Sequence, residues 1–503
     1  MSPKRLLPLV IILLVLGVLA VLFKRPPAPT QLAEEVGLER LVPQTLHADS
    51  IRGFDLYQGA RPQEIVRLRQ RDGAWVVSSH FDTPGNSTKI QQFLTQLSAL
   101  QGELRVDSTA LLSDFQLTDE QALHLQVYTE TPDQPALHLL TGKGSGGNGF
   151  MRRTGEGRVY SVNLHLQSLA GLSSGATDQA LSAKPWLELR LQNIPKEQIT
   201  ALELHSPTRD LRFTTQPAAV PAGSPEAPQA SATPAWTLVT PALTYSVKPD
   251  AVESLVTTLR TLQGDDVVDP ARIGEYGLEA PPYRATLTVH PGGQEARQVV
   301  VFLGHEVADK PGSRYARLGD AGPVYIVPQW VVQRLFPTLG TLLDLRILQV
   351  PQEEVTRLTL HEDGVSWSLE RQLPAAPVSG GSAAPTAPWQ VVGMPDVTVD
   401  ETAVAALLGA TAQLNADDLP ISPPAQTGLE QPHWQVLLTL RNGRTERLLV
   451  GQAVAQDSGG YYASRGDASD IFIVSGMLQK TLSEAMAKLK PSPAPTVTGP
   501  AKP

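Results

Sequence analysis

Residues 187–205 read LELRLQNIPKEQITALELH, and residues 343–361 read LDLRILQVPQEEVTRLTLH. Nine of the nineteen positions are identical at a constant offset of 156, among them Arg190/Arg346, Pro195/Pro351 and His205/His361. A match of that length and order marks an internal repeat, and a repeat decides the architecture before any single element is assigned. Three other landmarks extend it. A tryptophan opens an apolar strand-like segment at Trp75, Trp236 and Trp389. An amphipathic helix follows in each case, at Lys89 to Leu100, Ala251 to Leu262 and Glu401 to Leu414. Asp250 and Asp400 stand where they could accept from free N–H groups of the first helical turn.

Next comes a short hook, Phe115-Gln116-Leu117, Tyr276-Gly277-Leu278 and Thr427-Gly428-Leu429, with 42, 42 and 40 residues from tryptophan to leucine. A strand pair ending in glycine (Gly142, Gly304, Gly451) follows, and then a strand at Val159–Val162, Val324–Val327 and Ile471–Val474. A helix closes each copy, at Leu164 to Leu172, Val331 to Leu335 and Met477 to Leu489. Tyr283 to Val289 and Trp434 to Leu440 carry apolar residues at every second position, the strand period. Pro291-Gly-Gly293 and Asn442-Gly443 supply hairpin turns. Hairpins interleaved with helices predict an α+β fold of three diverged repeat modules, each an antiparallel sheet with packed helices.

The predicted boundaries are 36–185 for the first and most diverged module, 186–342 for the second and 343–487 for the third. Proline- and alanine-rich inserts at 217–235 and 374–388 interrupt modules two and three just before their tryptophans. Together with the tail 488–503 they are too poor in apolar residues to bury a core, and are expected to be disordered.

Leu6 to Phe23 is a run of 18 residues without a charge. As a helix it spans roughly 27 Å, the thickness of a bilayer's hydrocarbon layer. The predicted anchor is 1–25, with 26–35 a proline-rich spacer. The run is longer than a signal-peptide core and continues into Lys24-Arg25-Pro26-Pro27 without a small-x-small cleavage site, which favours a retained anchor. The membrane bilayer is thus the first expected partner, through Leu6–Phe23. The short basic tail at Lys4 and Arg5 favours the modules on the extracytoplasmic side of a bacterial cytoplasmic membrane, against the opposing charges Lys24 and Arg25.

Several chemistries are excluded or disfavoured. The chain has no cysteine, so it has no thiol nucleophile, disulfide or thiolate metal site. A net charge of −9 with no basic stripe beyond the N-terminus speaks against nucleic acid as a partner. Gly171-Leu-Ser173-Ser-Gly175 fits the nucleophile-elbow pattern, but helical spacing precedes the serine where a strand is needed. Gly142 to Gly149 lacks the order of a phosphate loop. Asp265, Asp266 and Asp269 lack the ligand pattern of a calcium loop. His205 and His361 read as equivalent strand ends, and the three tryptophans as core plugs. No residue is assigned a catalytic, cofactor-binding or metal-binding role, and no cofactor is expected.

The landmarks Trp236 to Pro241, Tyr276-Gly-Leu-Glu-Ala-Pro281, Phe302-Leu-Gly304, Tyr315-Ala-Arg317 and Val324 to Val327 resemble those of the DUF4340 family. That family consists of bacterial, membrane-anchored proteins often encoded beside ABC-type transporter components similar to those of gliding-motility systems. The resemblance implies a non-enzymatic accessory or binding role with a membrane-protein partner. The alternatives are an extracytoplasmic hydrolase of envelope polymers and a structural spacer that holds a partner away from the membrane.

Overall fold

The computed structural model describes residues 37–489 apart from 132, 146–147, 174–178, 217–234, 293, 373–387, 395–396, 422–423, 425, 455–458 and 467. The predicted anchor and spacer, the tail from 490 and nearly all of the two inserts lie outside the described residues, whereas Lys488 and Leu489, expected in the tail, end a helix in which Leu489 is buried. Of the inserts, Ala235 opens a strand and Pro388 precedes Trp389, so both belong to the modules. Among the described residues no helix is long and apolar enough to cross a membrane.

Two compact units form. One runs to Leu189 and includes Asp266–Asp269; the other comprises residues 190–265 and 270 onward. The first holds one antiparallel sheet, built from β1 (Leu38–Arg40), β2 (Gly53–Gln58), β3 (Arg61–Arg71), β4 (Ala74–Val77), β5 (Thr83–Pro84), β6 (Gln101–Asp107), β7 (Leu123–Tyr128), β8 (Leu137–Ser145), β9 (Asn148–Arg153) and β10 (Arg158–Val162). Their order is β1-β6-β10-β9-β8-β7-β2-β3-β4-β5.

Two further sheets lie in the second unit. One contains β11 (Ile199–His205), β12 (Asp210–Gln216), β13 (Ala235–Thr240), β15 (Tyr283–Val289), β16 (Arg297–Val307), β17 (Lys310–Leu318) and β18 (Val324–Val327); β14 is Asp266–Val268. The other contains β19 (Val355–Glu362), β20 (Val365–Glu370), β21 (Gln390–Val391), β22 (Trp434–Leu440), β23 (Thr445–Ala453), β24 (Tyr461–Arg465) and β25 (Phe472–Val474).

One topology repeats. The runs β4-β3-β2-β7-β8-β9-β10, β13-β12-β11-β15-β16-β17-β18 and β21-β20-β19-β22-β23-β24-β25 are the same path. After the tryptophan strand at one edge, a helix carries the chain to the opposite edge. There β6 pairs with β10, Asp265 N–H donates to Ile326 C=O at 2.7 Å, and Asp417 N–H donates to Ile473 C=O at 2.9 Å.

Those crossing helices are α1 (Ser87–Ser98), α3 (Pro249–Arg260) and α6 (Glu401–Thr411). In α3 the buried residues Val252, Leu255, Val256 and Leu259 fall at i, i+3, i+4 and i+7, the stripe that lies on a sheet. Asn86 caps α1 by accepting from Lys89 N–H, and Asp400 caps α6 by accepting from Thr402 and Ala403 N–H. The expectation for Asp250 fails. Pro249 starts α3, so Asp250 already lies inside its first turn and no side chain caps the helix.

The tryptophans are buried, at 7%, 6% and 5% exposure for Trp75, Trp236 and Trp389. In the first unit Phe54, Phe93 and Trp186 pack ring to ring at 5.1–5.4 Å between sheet and helix. Each fully buried side chain of this size contributes about 1.5–3 kcal/mol.

The first part of the repeated 19-residue stretch is a strap, and its last part is β11 or β19. Its start pairs with the segment before the preceding crossing helix: Glu188 N–H donates to Pro84 C=O, and Asp344 N–H to Ser246 C=O, both within their own units. It then pairs beside the end of the next crossing helix, through bridges Arg190–Gln263 and Arg346–Asn415. Leu187 and Leu343, and Leu189 and Leu345, therefore take equivalent places in the two straps.

The landmark glycines are not strand ends. Gly142, Gly304 and Gly451 lie inside β8, β16 and β23, each next to a register shift. A Cβ there would lie 2.0, 2.0 and 2.1 Å from the carbonyl oxygens of Phe115, Tyr276 and Thr427. The hook lies directly on the glycine, and the strand bulges past it. Aromatic contacts complete the closure: Tyr276 stacks on Tyr315 at 4.2 Å and Phe115 meets Phe150 edge-on at 4.9 Å.

Candidate functional site

The last helix of each module follows β10, β18 or β25 but differs in length. In module three α7 (Gly476–Leu489) is long and packs along α6, burying Leu478, Leu482, Ala485, Met486 and Leu489. In module two α4 (Gln329–Leu335) buries only Val331 and Leu335 before Phe336-Pro337 turns the chain into a four-residue helix, α5 (Leu339–Leu342). The shortened helix leaves open space around itself.

Three recesses result. One of about 550 Å³ lies between the first half of α3 and α4–α5, lined by Ser254, Leu255, Arg334 and Phe336 among others. A second, of about 370 Å³, is lined by Thr257, Thr258, Thr261, Trp330 and Arg334. Trp330 is 61% exposed, and its counterpart in module three, Met477, is 66% exposed. Both occupy the second position of the last helix, so the fold presents a large apolar side chain there twice.

The third recess, of about 320 Å³, is more polar. The β11–β12 turn is closed by Ser206 and Arg209, and Arg209 donates to the Asp418 carboxylate at 2.7 Å and to Leu419 C=O at 2.8 Å. Arg314, on β17, donates to Gly304 C=O at 2.8 Å and lies 4.4 Å above the ring of Tyr283. Tyr283 in turn meets Phe336 edge-on at 5.0 Å. Thr208, Gln329, Gln333 and Thr338 add hydroxyls and amides to the wall.

Module one carries a different polar cluster on the sheet face opposite its helix. Asp55, buried in β2, pairs with Arg67 at 3.3 Å and Arg69 at 2.5 Å. Tyr128 donates to Gln126 at 2.8 Å, and Tyr57 stacks on His124 at 4.6 Å. His124 Nδ1 meets His138 Nε2 at 3.0 Å, while His124 Nε2 meets Asp119 C=O at 2.7 Å. Because a carbonyl only accepts, His124 carries its proton on Nε2, and His138 Nε2–H is the donor to the bare Nδ1. Burial, then the neighbouring His124, pushes the pKa of His138 down to about 4. Burial also lowers that of His124, against the hydrogen bond to Asp119. These rings lie 14 residues apart and meet only through the register of β7 and β8, so spacing in the sequence does not reveal them.

The residues weighed from the sequence fall elsewhere. Ser173 follows α2 (Leu166–Leu169) and a left-handed Gly171, not a strand, so it does not sit on an elbow. It shares a recess of about 290 Å³ with His165 and the glycines of β8 and β9. The Gly142–Gly149 stretch forms the β8–β9 hairpin, with 146–147 outside the described residues. Asp265 pairs with Lys310 at 3.2 Å, and Asp266 accepts from Val267 N–H. His205 ends β11 and meets Asp210, and His361 lies next to the end of β19.

A family model described as a domain of unknown function (DUF4340) matches residues 75–234, 236–383 and 389–490. The chain belongs to the DUF4340 family. No curated protein and no solved structure matches it. Each DUF4340 match begins at or beside a landmark tryptophan, and the first two end just before the next. The matched segment is therefore out of phase with the sheet: its last strands, β11–β12 or β19–β20, belong to the following module's sheet. The third match, at 389–490, is the shortest.

Proposed function

We propose that this DUF4340 protein is a non-enzymatic accessory subunit held at the bacterial cytoplasmic membrane by Leu6–Phe23, with its modules on the extracytoplasmic side. Its partner is a membrane protein of an ABC-type transport system. The observation that carries the reading is Trp330, a large exposed aromatic that lines the recess of about 370 Å³ beside the shortened α4. Exposed tryptophans beside apolar recesses are the side chains that anchor protein interfaces. Arg334 lines both recesses and adds a cation that an acidic group on the partner would meet.

A photo-crosslinking residue placed at position 330 in the full-length, membrane-embedded protein tests this. The expected adduct is a multi-span transport protein, formed from position 330 and not from position 292 on the β15–β16 turn. Adducts from both positions alike, or none from 330, would overturn the assignment.

A further inference from the structure

The polar recess of module two lies at a place the fold leaves open more than once. Arg314 stands opposite Val327 in register, Gly149 opposite Val162, and Tyr461 opposite Val474. These are one repeat position holding three different side chains. In module one the glycine there borders the recess of about 290 Å³ beneath the start of α2. In module three the ring of Tyr461 stands there, within 3.7 Å of where a Cβ on Gly476 would be. Module two alone equips this standing recess with a cation.

Its charge is unbalanced. Arg209 and Asp418 neutralise each other at 2.7 Å. Arg314 is half-buried and meets a carbonyl and an aromatic face, with no carboxylate in ion-pair range among the described residues. Glu306, opposite it in register, is engaged instead by Gly312 N–H at 2.7 Å. Two arginines and one aspartate in the wall leave one net positive charge. Stacking on Tyr283 holds the guanidinium in place, so little side-chain freedom is lost when a ligand binds.

We propose that this recess binds a small hydroxylated ligand bearing one carboxylate, of the size of an acidic monosaccharide. A volume of about 320 Å³ falls at the lower end of the range for small-molecule sites. The free donors of Arg314 match a carboxylate, the planar anion that guanidinium recognises best. Thr208, Gln329, Gln333 and Thr338 supply partners for hydroxyl groups. A single surplus charge beside Asp418 favours a monoanion over a phosphate dianion.

Calorimetric titration of the full chain in detergent with glucuronate, glucose and inorganic phosphate tests the assignment. Glucuronate is expected to bind, with glucose and phosphate at least about tenfold weaker. Arg314→Gln should weaken glucuronate by about tenfold or more. Because Arg314 also braces Gly304 and Tyr283, Gln333→Glu serves as a second variant: it leaves that bracing intact, places a negative charge in the wall, and should weaken glucuronate equally. Glucuronate binding no tighter than glucose, phosphate binding tighter than glucuronate, or an unchanged affinity in Gln333→Glu would each overturn the proposal.

Discussion

His124 and His138 share one hydrogen bond, in which His138 Nε2–H donates to the bare Nδ1 of His124, and burial favours the neutral form of both rings. Around them stand Tyr57 on β2, Asp119 just after the hook and Arg152 on β9; Arg152 is itself paired with Asp119. Unfolded histidine titrates near 6.5, whereas burial holds folded His138 at about 4. Between those values the unfolded chain binds the proton that the folded chain refuses, so stability is full above pH ~6.5 and falls as the pH drops toward 4. His138→Gln keeps a donor toward His124 but cannot titrate. Its melting temperature should fall less steeply between pH 6.5 and 4 than that of the parent, as read by circular dichroism. Equal slopes would mean that other groups carry the acid sensitivity.

The hook shows how an element can recur while its residues change. Its middle residue must adopt a left-handed backbone, with φ 68° at Gly277, 69° at Gly428 and 55° at Gln116. Glycine does this freely, whereas a side chain costs about 1 kcal/mol or somewhat more. Module one accepts that strain. Gln116→Gly should therefore stabilise the first unit by about 0.5–1 kcal/mol in urea unfolding. Gly428→Ala should destabilise the second unit, since an added Cβ meets Gln452 at 2.6 Å. The hook's position was legible from the tryptophan-to-leucine spacing. The glycine it covers reads in the sequence as a strand end, because alternation does not distinguish a terminus from a bulge that the strand runs through. Phe115 in place of tyrosine is explained once Phe150 is seen opposite it.

Across the second unit, modules two and three are joined by buried polar contacts as well as by the strap. Arg209 reaches Asp418 and Leu419 C=O, Leu339 N–H donates to Asp418, and Gly340 N–H donates to Asp417 C=O. Arg209 and Asp418 are largely shielded, at 15% and 24% side-chain exposure, so their pairing is screened less than a surface bridge. Arg209→Ala is expected to cost about 1–3 kcal/mol and to broaden or split the unfolding transition of this unit. Amide exchange should then report faster opening near Leu339 and Asp417 than in the parent. A single, unshifted transition would assign the coupling to the leucines of the strap alone.

The sequence by itself determined the family, the α+β class and the threefold repetition. Periodicity and recurring residues are local properties, and they survive where the repeats diverge. It also located the crossing helices to within two or three residues, because an i, i+3, i+4, i+7 stripe is needed to cover any sheet. Tertiary structure alone decided the order and register of the strands within each sheet, in which each module's first hairpin comes before the tryptophan at which the family match begins. It alone brought His124 to His138, and Arg209 to Asp418 across 209 residues. Those pairings depend on strand register and on the path of the chain between modules. They also depend on where a short helix stops, at Phe336-Pro337, leaving the recesses around Trp330 and Arg314 that no motif announces.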